Sequence, residues 1–298
     1  MKKFCFFCVI LLHALLGHGM AANAAKTLFP FPVAPDTCTS MESRCNYCVQ
    51  RWWDKFEASK PLTQADDSLL YEAMDAYLNL LPHANLNLGQ ASIRDLMFKL
   101  QTNQSNYERV MSLVEVMLYL YPKQVFIDDY YLTFAQCAAS ASWIDKKLKS
   151  YYQERIGTIN ASKLGGEIMN FDVSDANGKK TRLLDLPTDT AQVVLLLFTA
   201  DDANSPLERT RLSADLGVNA LIRQGFAKVI NVYVGQESKK FWASASQYPD
   251  WTLVSAPGLN KRIDVRFCPS VMVLDPASHT VQRKNMTVDQ VKHIFNNY

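Results

Sequence analysis

Cysteine is the residue type in this sequence that is best suited to chemistry. The chain has 298 residues and seven cysteines, and two of them, Cys45 and Cys48, form a C-x-x-C motif. Cys268 stands far downstream, directly before Pro269. A cysteine acts as a nucleophile through its thiolate, which nearby positive charge or a helix N-terminus stabilises. The setting of each cysteine therefore decides what it can do.

The motif Cys45-Asn46-Tyr47-Cys48 comes directly before residues 49–56, which have the pattern of a short amphipathic helix. Three interpretations are open. The first is structural disulfides, which extracytoplasmic compartments permit. The second is a redox-active pair at a helix start, and the third is a zinc site, although no second C-x-x-C and no histidine pair supports a metal. We expect no metal and no cofactor. The cysteines concerned are Cys38, Cys45, Cys48 and Cys137.

A second place for chemistry lies between Gln192 and Arg211. The apolar run 193–198 predicts a strand buried on both faces, the polar segment after it predicts a loop, and Pro206 opens a helical pattern. Amide donors and the positive end of the helix dipole meet at such a junction. Asp201 and Asp202 in this loop could bind a cation or act as acid and base, but we expect them to cap the helix.

Several segments follow one another in an order that matches a known family. They are Gly165-Gly166-Glu167, the turn 175–178, residues 181–186, the buried strand, and Arg266 to Asp275. Together they resemble the thioredoxin-fold domain of the TlpA-like envelope thiol-disulfide oxidoreductases. In that family the segment after the strand reads roughly F-W-A-x-W-C-x-x-C, and the later loop supplies a cis-proline that faces the two cysteines. The resemblance implies a mixed sheet covered by helices over residues 161–298.

The motif cysteines of that family are replaced in this chain. Their positions fall on Ala203 and Pro206, and neither side chain can act as a nucleophile. The resemblance therefore implies a binding site that lacks the reactive pair. Its residues would be Thr199, Ala203, Asn204, Ser205, Pro206 and Pro269.

Cys268 occupies the position before the implied cis-proline. In the family, this residue touches the reactive disulfide and pairs through its backbone with an incoming extended peptide. The resemblance places Cys268 near Ala203 at the positive end of a helix, an environment that lowers the pKa of a thiol. Cys268 is then either a single-thiol catalytic site or a partly buried, inert thiol.

The N-terminus has the pattern of a signal peptide. Met1-Lys2-Lys3 precedes the apolar run 4–16, which is too short to span a bilayer, and Ala22-Asn23-Ala24 offers a cleavage site. We expect residues 1–24 to be removed, which gives a periplasmic or otherwise extracytoplasmic chain without a membrane span. A net charge of +2 indicates no preference for nucleic acid.

Helical periodicity dominates from Asp66 to about Tyr152, which predicts an all-helical domain over residues 25–160. Residues 44–162, with the segment W-W-D-x-F at 52–56, are similar to the uncharacterised helical domain that precedes a thioredoxin-like domain in many bacterial envelope proteins. The predicted fold is thus a helical domain followed by a thioredoxin-like α/β domain.

These patterns support a first functional hypothesis, an exported thioredoxin-fold protein that binds an extended peptide or an envelope protein without catalysis. The alternative is a thiol-disulfide oxidoreductase that acts through Cys268 alone or through Cys45 and Cys48. A third possibility, a glycan or envelope-component binder, has no support from particular residues.

Overall fold

A computed structural model of the chain describes residues 26–120, 128–188, 191–236 and 239–295. The chain divides into two compact units, Met1–Asp145 and Lys146–Tyr298. The helix Lys146–Asn160 belongs to the second unit, whereas the predicted domain boundary at residue 160 stays a prediction. The predicted signal peptide, residues 1–24, lies outside the described residues. Within those residues, no helix combines the length and apolar character needed to cross a membrane.

The first unit is helical, as its periodicity predicts. Large aromatic side chains fill its core, and Trp53, Tyr77 and Phe134 are fully buried. Short 3-10 segments at Gln64–Asp66 and Leu81–His83 connect some of the helices. The helices are α1 Met41–Arg51, α2 Asp67–Leu80, α3 Leu86–Leu100, α4 Gln104–Val114, which continues as a π-helix over Glu115–Leu120, and α5 Asp128–Ser140.

Helix α1 begins earlier than the sequence pattern suggested. The Ser40 side chain accepts a hydrogen bond from the amide of Ser43 at 3.0 Å, and the Ser43 side chain accepts one from the amide of Ser40 at 3.1 Å. This reciprocal cap starts the helix at Met41. The prediction that Cys45 and Cys48 precede a helix is therefore wrong, because both lie in its interior.

The second unit combines helices with a seven-stranded mixed sheet over the part of the chain that the structure describes. The spatial order of the strands is β2-β1-β5-β4-β3-β6-β7. Its elements are α6 Lys146–Asn160, β1 Asp172–Ser174, β2 Lys180–Arg182, β3 Val193–Thr199, α7 Asn204–Ser213, α8 Leu216–Arg223, β4 Ala227–Tyr233, α9 Lys239–Ala243, β5 Thr252–Ser255, β6 Ser270–Leu274, β7 Val281–Met286 and α10 Val288–Phe295.

Strand β3 lies inside this sheet, parallel to β4 on one side and antiparallel to β6 on the other. Its alternate side chains enter two separate cores: Leu196 and Phe198 pack on one face, and Leu195 and Leu197 pack on the other. A strand buried on both faces needs a continuous apolar sequence, which the run 193–198 provides. The predicted mixed sheet covered on both faces is confirmed.

The first two strands form the hairpin that Asn177-Gly178 predicts. Strands β1 and β2 pair antiparallel, and Gly178 has a φ of 76°, which glycine adopts without strain. The Asp175 side chain accepts hydrogen bonds from the amides of Asn177 and Lys179, both at 2.9 Å. Local side-chain bonds thus fix the turn.

Candidate functional site

The end of β3 and the loop before β6 lie side by side. Phe198 pairs antiparallel with Ser270, the first residue of β6, so the residues before Ser270 run beside the residues after Phe198. The peptide bond between Cys268 and Pro269 is cis, as the family resemblance implied. The structure therefore brings the cis-proline loop next to the junction between β3 and α7.

The start of α7 is capped by a carboxylate. Asp202 accepts hydrogen bonds from the amides of Asn204 at 2.8 Å and Ser205 at 2.7 Å through one oxygen. Its other oxygen accepts a hydrogen bond from the hydroxyl of Ser205 at 2.5 Å. That hydroxyl in turn accepts a hydrogen bond from the amide of Ala200 at 3.0 Å. The expected capping role is confirmed for Asp202. Its negative charge thus occupies the positive end of the helix dipole.

Ala203 and Pro206 lie at the surface beside this cap. Ala203 is the N-cap residue of α7, and Pro206 is the third helical residue, so the helix begins at Asn204 rather than at Pro206 as predicted. The Asp202 side chain explains the difference, because it satisfies the amides of the first two helical residues. Ala203, Asn204 and Pro206 are exposed, and the first and last offer only hydrocarbon to a partner.

The Cys268 thiol is half-buried and packs, like Ala200, against the core that contains Phe198. Burial and, to a smaller extent, the charge of Asp202 raise the pKa of this thiol to about 12. The expectation that the helix terminus lowers this pKa is wrong, because burial disfavours the thiolate and, to a smaller extent, because Asp202 already supplies a negative charge there. Cys268 therefore stays a protonated thiol at neutral pH.

The backbone at the cis-proline loop has unused hydrogen-bonding groups. Within the residues that the structure describes, the amide and carbonyl groups of Phe267 and Cys268 make no hydrogen bond. The Phe267 side chain is 37% exposed, and Leu207 in the first turns of α7 is 55% exposed. Free backbone groups flanked by apolar side chains are the features that an added extended strand requires.

Two of the predicted site residues point inward. Thr199 is buried, and its hydroxyl accepts a hydrogen bond from the Asn231 side chain at 2.9 Å. Ser205 is also buried and bonds to Asp202. Both side chains stabilise the junction between β3 and α7 from inside the domain. The accessible surface of the site is formed by Ala203, Asn204, Pro206 and the cis-proline loop.

A buried ionic network, which the sequence pattern did not reveal, holds the cis-proline loop. The Asp264 carboxylate accepts two hydrogen bonds from the Arg266 guanidinium, both at 2.8 Å, and one from Lys284 at 2.5 Å. Burial alone would raise the pKa of Asp264, but the charges of Lys284 and Arg266 hold it below its ordinary value. One sequence feature could have indicated this network. The charged residues Asp264 and Arg266 alternate with the apolar residues Ile263, Val265 and Phe267.

Comparison with solved structures identifies the fold of this unit. A thioredoxin-like protein from Bacteroides caccae ATCC 43185 matches 92% of this chain and 100% of its own length, with a TM-score of 0.78 and 17% identity. The second unit has a thioredoxin-like fold. The C-terminal domain of an uncharacterised protein from Bacteroides fragilis NCTC 9343 matches 45% of this chain and 98% of its own length, with 22% identity and a TM-score of 0.39.

Two further comparisons concern the sequence. Residues 18–162 match the model of a family described as a domain of unknown function, DUF5106. No curated protein sequence matches this chain. The first unit and the thioredoxin-like domain thus follow the predicted order, a helical domain and then an α/β domain.

The C-x-x-C pair lies outside the thioredoxin-like domain, in the first unit. Cys45 and Cys48 are buried in α1, and the Cys48 sulfur contacts the carbonyl oxygen of Pro32 at 3.6 Å. Burial raises the pKa of both thiols. A pair in the interior of a helix lacks the free amides of a helix N-terminus, so the interpretation as a redox pair at a helix start loses its structural basis.

The cysteines of the described residues are all free thiols. The predicted structural disulfides are therefore absent from this structure: Cys45 and Cys48 are enclosed in the helical core, and Cys38 and Cys137 are half-buried. Burial also raises the pKa of Cys137. Within the described residues, no cluster of three or more histidine, cysteine or acidic side chains could hold a metal ion, so the zinc interpretation gains no support.

Proposed function

We propose that the thioredoxin-like domain is a non-catalytic binding module that holds an extended peptide or a segment of an envelope protein. The observation that carries this proposal is the carboxylate of Asp202 at the start of α7. A thiol-disulfide enzyme needs a thiolate near this point, and the chain instead has a carboxylate, two hydrocarbon side chains and a protonated Cys268.

Binding requires only the parts of the site that the chain retains. The free amide and carbonyl groups of Phe267 and Cys268 can pair with an extended segment through main-chain hydrogen bonds. The exposed rings and aliphatic groups of Phe267 and Leu207 then offer contacts to its side chains. No sulfur chemistry enters this mode of recognition.

The location that fits this function is outside the inner membrane. The basic start, the apolar run 4–16 and the small residues before Ala25 have the pattern of a cleaved export signal. We therefore assign the mature chain to the periplasm or another extracytoplasmic compartment, with a peptide or envelope protein as its partner.

Two measurements on the mature chain test the proposal. In an insulin-reduction assay with dithiothreitol, the chain should give the rate of the buffer alone. In NMR spectra, added extended peptides should shift signals of residues 199–207 and 266–270. Insulin reduction that Cys268→Ser abolishes would establish the single-thiol oxidoreductase instead, and loss of activity only in Cys45→Ser or Cys48→Ser would point to that pair.

A further inference from the structure

Three rings just after α1, those of Trp52, Trp53 and Phe56, form an aromatic platform that a segment of the same chain covers. Phe29 lies against Trp53 and Phe56, with ring centroids 5.5 and 5.6 Å apart, and is 4% exposed. Phe31 stacks on Trp52 at 4.7 Å and an interplanar angle of 26°. Two phenylalanines with one residue between them therefore attach the segment to the platform.

The covering segment, residues 28–34, is held by side chains rather than by backbone pairing. It contains Pro30 and Pro32, which have no amide N–H, and it adopts neither helix nor strand. Its backbone makes no hydrogen bond to another backbone group of the described residues, and the Cys48 thiol donates one to the carbonyl of Pro32 at 3.6 Å. Extended proline-containing segments bind to aromatic-lined grooves of separate proteins in this way.

Contacts that do not involve the segment hold the platform in place. Tyr77 of α2 is fully buried, and its ring lies 5.1 Å from that of Trp53. The Tyr77 hydroxyl donates a hydrogen bond to the hydroxyl of Ser92 in α3 at 2.9 Å, and Ser92 donates one to the carbonyl of Val49 in α1 at 2.7 Å. Three helices are thus joined beside the platform, which preorganises it for docking.

An exposed turn connects the segment to α1. Residues 35–37 are exposed, and the amide of Cys38 donates a hydrogen bond to the carbonyl of Pro35 at 2.9 Å. Helix α1 has its own cap and begins after this turn, at Met41. A cut in the turn would therefore separate the segment from α1 without removing a contact of the platform.

We propose that the aromatic platform is a peptide-docking site for extended segments in which one proline separates two aromatic residues, and that residues 29–32 occupy it as a separable ligand. This inference is independent of the proposed site at the cis-proline loop. The covalent connection gives the resident segment a local concentration on the order of 1 mM. The same segment of a second copy of the chain therefore binds only where the resident segment has been released.

The experiment uses the mature chain with a protease recognition sequence inserted between Asp36 and Thr37. The chain is folded, cut and dialysed to remove the segment, and the probe is a fluorescent peptide of residues 26–35 whose anisotropy reports binding. The cut chain should bind this peptide at least about tenfold more tightly than the uncut chain, because the connected segment no longer competes. The Cys48 thiol, which contacts Pro32 in the uncut chain, should then react faster with Ellman's reagent.

Two variant peptides separate docking from general apolar adhesion. Phe29→Ala should weaken binding about tenfold to a hundredfold, the loss expected for one buried phenylalanine ring. Val33→Ala should change it less than about twofold, because Val33 is 62% exposed. Equal affinities for the two variants, or no binding to the cut chain, would overturn the proposal. Loss of the helical circular-dichroism signal when the segment is removed would also overturn it, because the segment would then be part of the core rather than a ligand.

Discussion

Asp202 is the residue on which the proposal of a non-catalytic site depends most. A thiolate at a helix N-terminus gains stability from amide donors and from the helix dipole. Here the carboxylate of Asp202 takes the amides of Asn204 and Ser205, and its charge adds to burial in raising the pKa of Cys268. One side chain therefore both caps the helix and disfavours thiolate chemistry beside it.

Asp202→Asn tests the electrostatic part of this account. The asparagine side-chain oxygen can still accept the two amide hydrogen bonds, but the negative charge near Cys268 is lost. The pKa of the Cys268 thiol should fall by about one unit, because a like charge within several ångströms shifts a pKa by that order. The pH dependence of alkylation at Cys268 measures it, with Asp201→Asn as a control of equal charge. If the pKa of Cys268 stays the same or rises in Asp202→Asn, the charge of Asp202 does not contribute to the raised pKa.

At the scale of elements, the loop between Ile263 and Pro269 depends on a buried ionic network. Asp264→Asn leaves Arg266 and Lys284 buried without their carboxylate. The free energy of unfolding at pH 7 should fall by about 3–5 kcal/mol, the usual cost of breaking a buried ion pair. Urea unfolding measures the change, and Asp250→Asn should stay within about 0.5 kcal/mol of wild type. A similar small effect in both variants would contradict the network's role.

The same carboxylate predicts a dependence of stability on pH. The pKa of Asp264 is lower in the folded protein than its ordinary value of about 3.9. Its stabilising contribution is therefore complete above about pH 4 and is lost as the pH falls through the lowered folded pKa. Between about pH 4 and pH 2, wild type should lose more free energy of unfolding than Asp264→Asn. Equal losses of free energy of unfolding in wild type and Asp264→Asn would contradict the assignment of this pH dependence to Asp264.

The thiols of Cys45 and Cys48 in α1 should be unreactive in the folded protein. Both thiols are buried with raised pKa values, so they should react with Ellman's reagent only after denaturation. Cys38, which is half-buried, serves as the internal comparison and should react sooner. Fast native labelling of Cys48, or a disulfide between Cys45 and Cys48 in the isolated chain, would contradict the arrangement of α1.

Sequence patterns predicted the elements better than their ends. The apolar run 193–198 has the composition of a doubly buried strand and forms one, and Asn177-Gly178 specified its turn through backbone freedom. Helix starts were misplaced at α1 and α7 because small polar caps, Ser40 and Asp202, decide them. Such caps look like ordinary loop residues until their hydrogen bonds are known.

The electrostatics of the site could not be predicted from sequence. Cys268 before Pro269 suggested a thiol at a positive helix end, but its pKa depends on burial and on which way the Asp202 carboxylate turns. The partners of Asp264 include Lys284, twenty residues away along the chain, and only the paired strands bring them together. Contacts between residues so far apart along the chain produce no periodic pattern in the sequence.

At the scale of the whole molecule, the proposed location depends on the first 24 residues. A chain expressed with them should appear in the periplasmic fraction with a mature N-terminus near Ala25, since the apolar run suits an export signal. Deletion of residues 1–24 should leave the protein in the cytoplasm. Fractionation and intact mass measure both outcomes, and an uncleaved chain retained in the cytoplasm would contradict the proposed location.

The two units have different relations to the proposed function. Within the described residues, the accessible backbone and carboxylates of the candidate site belong to the thioredoxin-like domain. The helical unit has a buried aromatic core and enclosed thiols. Peptide binding should therefore be weakened by Leu207→Ala or Phe267→Ala and be unaffected by Cys45→Ser, with the NMR shifts described above as the measurement.

The ionisation of Cys268 in the wild-type chain tests the central claim most directly. The mature protein is alkylated with iodoacetamide for short times across pH 6 to 10, and the peptide that contains Cys268 is quantified by mass spectrometry. The rate of alkylation should keep rising with pH without an inflection in this range, as expected for a thiol with a pKa of about 12. An inflection below about pH 8 would reveal a stabilised thiolate and would contradict a non-catalytic site.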